Sequence, residues 1–350
     1  MKDIKIGDYL IGENHPPFVI AELSGNHNGS IEQAKKIISA AAEAGSHAVK
    51  FQTYTADTMT LDLRTPGFVI DDPKSLWHER SLYDLYDEAH TPWEWHEELF
   101  SHARSLGLIP LSTPFDETAI DFLETLGCEV YKIASFENTD YDLIEKVIST
   151  KKPIIISTGM MSVSELEELK LLFTSNKFND VVLLKCTSNY PADPVDANLN
   201  TIPHMRDLMG VNVGLSDHTL GNGVAVASIA YGVRVIEKHF TLDRSEGGVD
   251  SAFSLEPAEL KNLVDETKRA FVAQGVIKYS GTANEQASKQ FRRSLYFVKS
   301  ASAGQAISND MLRAIRPGFG LPVKHRKSLI GKVLAKDVSP GTAVDFSCID

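Results

Sequence analysis

Two short segments concentrate groups able to do chemistry. "VIEKHFTLD", residues 235–243, begins as an apolar strand and then presents Glu237, Lys238 and His239 together. "GLSDHT" places Ser216 and His218 two residues apart. Side chains alternate along a strand, so Glu237 and His239 share one face, as do Ser216 and His218. Imidazoles from neighbouring strands at one height are a donor pair for a divalent metal, with Glu237 in support. Two protein ligands leave positions open to water and substrate, which suits a Lewis acid. The competing reading of either histidine is a hydrogen-bonded strand end.

Three lysines fall in or at the ends of apolar runs: Lys50 in "AVKFQ", Lys132 in "VYKIAS" and Lys185 in "LLKCTS". Lysine is rarely buried without a partner. Each could pair with Glu22, Glu237 or Asp217, but three around one site would hold an anion. Thr113, Ser135, Ser157, Asn189 and Ser216 lie at comparable run ends. Serine and asparagine are common turn residues; as a ring with lysines they point to phosphate. In "STGMM", Gly159 permits close backbone approach. Glu22 precedes "SGNHNGS" and is either part of a turn or a contact to substrate hydroxyls; His27 reads as loop structure.

The elements that must position these groups recur from residue 18 to about residue 275. Eight β-rich runs, "FVIAEL", "HAVKFQ", "IPLSTPF", "VYKIAS", "PIIISTG", "VVLLKCTS", "VNVGLSD" and "VRVIEKHF", alternate with helical patterns. Near-continuous apolar runs mark strands buried on both faces, as in parallel sheets. "SIEQAKKIISAAAEAG" has Ser30 as N-cap and Gly45 as stop. Eight such units over this length predict a (β/α)8 barrel, whose active site lies where the strands end. No glycine-rich dinucleotide loop follows the first run, which argues against a doubly wound sheet. The second connection, residues 53–90, is too long for an ordinary βα loop and is either a surface excursion or a substrate lid. Residues 276–293 read as a linker and 294–350 as a small β-rich domain. In that domain "VKSASAGQAIS" resembles "AKDVSPGTAVD", Gly304 matching Gly341.

The chain has 350 residues and a net charge of -12, which argues against non-specific nucleic-acid binding. A local cluster of lysines could still bind an anion, because charges more than ~10 Å apart are screened. Three cysteines without a C-x-x-C pair imply a reducing cytoplasm. The first residues lack a signal-peptide core, and "VAVASIAYGV" falls short of the ~20 residues a membrane span needs.

Taken together, "IAELSGNHNGS", "AVKFQTYTAD", "STPFDE", "YKIASFE", "ISTGM", "LKCTSNYP", "GLSDHTLG" and "VIEKHFTLD" resemble the sialic acid synthase family. The tail "SLYFVKSASAGQAIS", "IRPGFGL" and "LIGKVLAKDVSPG" resembles its antifreeze-like (SAF) domain. The likeness covers nearly the whole chain in order. "LWHERSLYDLYDEAHTPWEWH", "IASFE" and "FSLEP" resemble the branch that makes pseudaminic acid more than the N-acetylneuraminate branch.

The resemblance implies metal-dependent condensation of phosphoenolpyruvate with an acetamido sugar aldehyde and release of phosphate. For this branch the sugar is 2,4-diacetamido-2,4,6-trideoxy-L-altrose. Lys50, Thr113 and Lys132 would hold the phosphoenolpyruvate carboxylate side, and Ser135, Ser157, Asn189 and Ser216 its phosphate. His218 and His239 would bind manganese or magnesium, or else cobalt. Glu22, Gln52, Tyr190 and Asp250 would face the sugar, with Glu22 and Glu237 competing for the role of base. Arg316 would arrive from the second subunit of a domain-swapped homodimer. An N-acetylneuraminate or legionaminate synthase, a heptulosonate-phosphate synthase relative, and a non-enzymatic sugar-binding protein are the rival readings. Trp77, Tyr83, Trp93 or Trp95 could supply apolar contacts to a deoxy sugar.

Overall fold

In the computed structural model, which describes residues 1–73 and 75–350, the eight apolar runs are parallel strands. They are β3 (Phe18–Glu22), β4 (Ala48–Thr53), β5 (Ile109–Pro114), β6 (Tyr131–Ile133), β7 (Ile154–Ser157), β8 (Val181–Cys186), β9 (Asn212–Ser216) and β10 (Val235–His239). They close into a barrel in sequence order, with β10 pairing β3. A short antiparallel hairpin, β1 (Ile4–Ile6) and β2 (Tyr9–Ile11), precedes them. Its two-residue loop begins at Gly7, whose φ of 55° suits glycine in a tight hairpin.

The barrel interior is apolar at one end and polar at the other. Ile4, Ile6 and Ile11 of the hairpin pack with Phe18, Ile20, Leu111, Ile155, Leu184 and Val235 in one buried cluster. The hairpin therefore closes the barrel floor. Beyond that layer the inward side chains become Glu22, Lys50, Thr113, Lys132, Ser157, Cys186, Ser216, Glu237 and His239, all buried.

Helices cover the outside: α1 (Ile31–Glu43), α2 (Ala56–Met59), α3 (Leu82–Ala89), α4 (His96–Ser105), α5 (Glu117–Thr125), α6 (Tyr141–Ser149), α7 (Val163–Ser175), α8 (Thr201–Met209), α9 (Gly223–Ser228) and α10 (Pro257–Gln274). Ser30 caps α1 by accepting from the Gln33 amide, and Ala34, Ile37, Ile38 and Ala41 form its buried stripe. α5 begins at Glu117 because Asp116 accepts from the Thr118 and Ala119 amides.

Contacts divide the chain into Met1–Gly275 and Val276–Asp350. The second unit holds an antiparallel pair, β11 (Ser294–Phe297) and β12 (Leu312–Ile315). Its internal repeat is a structural one. Ala301 and Val338, equivalent residues of the two halves, exchange backbone hydrogen bonds of 3.1 and 2.9 Å. Gly304 and Gly341 both sit at positive φ, 84° and 91°. Among the described residues no helix is long and apolar enough to cross a membrane.

Candidate active site

Strand register brings the polar ends to one level. Glu22 lies beside Lys50 on one side and His239 on the other. Gln52 aligns with Thr113, and Ser216 with both Glu237 and Cys186. These pairings follow from barrel closure: β3 meets β10, so the first and last mouth residues become neighbours.

The charged groups form one buried network. Lys50 Nζ is 2.7 Å from Glu22 Oε2 and 3.4 Å from both Glu237 Oε1 and the Thr113 hydroxyl. Lys132 Nζ donates to the Ile133 carbonyl at 2.9 Å and lies 3.8 Å from Glu237 Oε1. Ser216 donates to the same Glu237 oxygen at 3.1 Å. Burial pushes Lys50 down to about 8, against the pull of Glu237 and with the push of Lys132. For Glu237, burial is outweighed by Lys132, Lys50 and Ser216, so it stays below the ordinary carboxylate range and ionised. Both proposed roles of these lysines are thus present at once: they face the mouth and they are ion-paired.

Lys185 does not join them. Cys186 faces inward in register with Ser216, and Lys185, one residue earlier, points the other way. Its ammonium donates to Thr187 Oγ1 at 2.8 Å and to the Cys186 carbonyl at 3.2 Å. The expectation of a third anion-binding lysine is corrected by strand alternation. Lys238 is likewise outward: it bonds Asp217 Oδ2 and the Thr219 and Gly221 carbonyls at 2.7–2.9 Å, fixing the loop that carries His218.

His218 and His239 lie side by side, ring centroids 5.3 Å apart. His218 Nδ1 donates to the Thr187 carbonyl at 3.0 Å, which makes Nε2 the lone-pair nitrogen of the neutral ring. His239 Nδ1 is buried without a hydrogen bond among the described residues and lies 3.7 Å from Asp250 Oδ2. Burial, His218 and the nearby lysines hold His239 well below the ordinary histidine range, hence neutral. For His218 burial acts downward, but Cys186, the Thr187 carbonyl and Glu237 raise it. An unbonded buried ring nitrogen is unusual, and neutral imidazole is the metal-binding form. The pair therefore fits a divalent metal, with His239 already neutral and His218 giving up the proton its neighbours favour when a metal binds. Among the described residues no group of three or more His, Cys, Asp or Glu converges on such a site, so water and substrate would complete the coordination.

Phosphate candidates divide. Ser135 Oγ accepts from the Gly159 amide at 3.2 Å, and Ser157 Oγ is buried without a partner among the described residues. Gly159 is required here: a Cβ would stand 2.2 Å from Ser188 Oγ and 2.5 Å from Ser135 Oγ. Asn189 is exposed, and it is the preceding Ser188 whose hydroxyl lies against Gly159.

On the opposite side, Gln52 donates to Glu22 Oε1 at 3.3 Å and to Ser24 Oγ at 3.4 Å. The Ser24 amide donates to Glu22 Oε1 at 3.0 Å, and its hydroxyl donates to Asp250 Oδ2. Burial raises the Asp250 carboxyl above its ordinary value despite that bond. Tyr190 rests on His218, centroids 4.4 Å apart. Arg316 belongs to the second unit and is exposed.

Three groups escape a strand-by-strand reading. Glu137, in the loop after β6, has a buried Oε2 without a hydrogen-bond partner among the described residues and is pushed up to about 7 by burial against Lys132 and Lys50. Cys186 is pushed up by burial, but His218, Ser135 and Lys132 bring it down to about 7. Ser24 links Glu22 to Asp250. The signal available for Glu137 was its place two residues after Ser135; strand periodicity does not extend into loops.

The NeuB family model matches residues 37–279 and the SAF domain model residues 292–350. The chain belongs to the NeuB family. A pseudaminic acid synthase of Campylobacter jejuni serotype O:2 is 42% identical over 327 residues, 93% of this chain and 95% of the relative. The pseudaminic acid synthase of Helicobacter pylori is 40% identical over 337 residues, 96% and 98% of the two chains. The crystal structure of an N-acetylneuraminic acid synthetase from Leptospira borgpetersenii superposes with a TM-score of 0.73 at 31% identity, covering 82% of this chain and 95% of that one. This NeuB chain is an enzyme of the sugar-acid synthase type, on a (β/α)8 barrel followed by an SAF domain.

Proposed function

We propose that this chain condenses phosphoenolpyruvate with 2,4-diacetamido-2,4,6-trideoxy-L-altrose to give pseudaminic acid and phosphate. The observation that carries the reading is the single mouth where Lys50, Lys132 and the His218–His239 pair converge, in a chain 40–42% identical to pseudaminic acid synthases. An N-acetylneuraminate synthase is the second reading, favoured by the Leptospira likeness at lower identity, 31%.

His218 and His239 would hold a divalent metal, manganese or magnesium, which when bound would supply Lewis acidity at the aldehyde oxygen and positive charge to the pocket. Lys50 and Lys132 are neutralised by Glu22 and Glu237. Lys50, Thr113 and Lys132 orient the carboxylate, and Ser135, Ser157, Ser216 and the exposed Asn189 the phosphate. Glu22, Gln52, Tyr190 and Asp250 hold the sugar. The enol carbon forms the new C–C bond to the aldehyde carbon as the C=O π pair moves onto the aldehyde oxygen, which takes a proton that the water added next gives back. Water then adds to the former enol-ether carbon, its proton passing to Glu237 or Glu22. Phosphate leaves with the bridging oxygen, its charge balanced by lysines and hydroxyls placed in advance.

We further propose that the enzyme is a homodimer in which Arg316 of one copy reaches the sugar bound in the other. The support is electrostatic: residues 276–350 carry twelve Lys and Arg against five Asp and Glu, while the whole chain is at -12. Opposite charge favours association of the two surfaces.

Phosphoenolpyruvate labelled with 18O at the bridging position tests the chemistry. Label should appear in released phosphate, and only when divalent metal is present. Label retained in the sugar acid would overturn C–O cleavage. Equal turnover of the aldehyde precursor of N-acetylneuraminate would overturn the assigned branch.

A further inference from the structure

We infer that Trp77 is a specificity-determining residue: it completes an apolar wall that selects a sugar aldehyde ending in a methyl group over one ending in a hydroxymethyl. The inference rests on the proposed condensation and adds the residue that chooses its sugar.

Of the four aromatic residues in the second connection that could touch substrate, three are engaged elsewhere. Trp93 donates to the Tyr54 carbonyl at 3.1 Å and stacks on Phe122, 4.7 Å between centroids. Trp95 packs edge-on against the buried His27, and Tyr83 donates to Asp57. Trp77 alone of the four reaches the mouth. Its ring is 6.1 Å from Tyr190, which lies 4.4 Å from His218 and 5.3 Å from Phe253. Phe253 packs on His239 at 4.9 Å. Three aromatic rings thus form a continuous apolar run from Trp77 to the two imidazoles.

Trp77 has one polar atom, and the backbone takes it. The indole N–H donates to the Val249 carbonyl at 3.2 Å, one residue before Asp250. What the side chain offers a ligand is therefore hydrocarbon. The same bond ties the connection to the loop bearing Asp250, so the wall and the polar contacts are set together. A methyl group placed on this wall gains from burial. A hydroxyl placed there loses its water without gaining a partner. An apolar wall rejects an added hydroxyl by on the order of 100-fold.

The experiment compares two acetamido aldehydes differing only in methyl or hydroxymethyl at the terminal carbon, by phosphate release with saturating phosphoenolpyruvate. The wild type should prefer the methyl form by roughly 10- to 100-fold in kcat/KM. Trp77→Ala and Trp77→Leu should cut that preference at least about fivefold, while the KM for phosphoenolpyruvate stays within about twofold. Trp77→Phe keeps a ring but no N–H donor; it should retain the preference and raise the KM for sugar. Circular dichroism and thermal melts accompany each variant. Wild-type turnover with a preference unchanged in both Trp77→Ala and Trp77→Leu overturns the role of Trp77 alone. Wild-type enzyme that releases no phosphate with either aldehyde overturns the condensation itself.

Discussion

At the scale of single residues, Lys50 ties charge to acidity. Buried beside Glu22 and Glu237 and near Lys132, it is held at about 8. If it orients the substrate carboxylate as an ammonium, kcat/KM for phosphoenolpyruvate should fall as pH rises through about 8. Lys50→Arg, always protonated, should move that limb upward even at reduced rate; an unmoved limb would assign it to another group. Stability runs the other way. The folded value lies below the unfolded one, so the unfolded chain binds more protons between them. Stability from this group therefore increases as pH rises from about 8 toward the ordinary lysine range. His239 makes a second prediction. His239→Ala should lose metal-dependent turnover yet melt within a few degrees of the wild type, because that ring nitrogen makes no hydrogen bond among the described residues. Full activity in this variant, where chelation abolishes that of the wild type, would refute the ligand assignment.

Elements carry the next set of constraints. Alternation was readable wherever polar residues interrupt a strand: "VIEKH" and "GLSDH" fix their own faces, and the inward Glu237, His239 and Ser216 follow from them. "VVLLKC" gives no such cue, since both faces are apolar. Only its register against β9, Cys186 beside Ser216, shows that Lys185 points outward. Loop residues such as Glu137 and Ser188 had no periodicity to place them. The opening hairpin, with strands of three residues, was too short for a pattern. The barrel itself was legible because eight buried parallel strands leave eight apolar runs.

The loops after β7 and β9 can be tested as elements. Gly159→Ala would push Ser135 and Ser188 apart. A displacement near 1 Å can cost on the order of 100-fold, so the KM for phosphoenolpyruvate should rise at least about tenfold with little change in melting temperature. Lys238→Met leaves Asp217 buried without its counter-charge, although the Thr219 amide and hydroxyl still donate to it. It should destabilise the barrel by about 3–5 kcal/mol in urea unfolding, and Asp217→Leu in the same chain should recover part of that loss. A neutral Lys238→Met would show that the loop holds His218 without this pair.

For the whole molecule, charge is distributed unevenly. The second unit carries an excess of seven positive charges, in a chain whose total is -12. The barrel unit is therefore strongly acidic, and association between unlike units of different copies is electrostatically favoured and weakened by salt. If Arg316 acts in the other copy's barrel, two dead variants should rescue one another. His239→Ala destroys its own barrel but still donates Arg316; Arg316→Ala keeps an intact barrel but lacks the arginine to give. Random reassortment of equal amounts makes half the dimers mixed, each with one complete site, so about a quarter of wild-type activity should return. The recovery should require time for subunit exchange and should decline on dilution below the dimer dissociation constant. A mixture no more active than its parts, in dimers shown by native mass spectrometry to have exchanged, would mean that Arg316 serves its own chain or none.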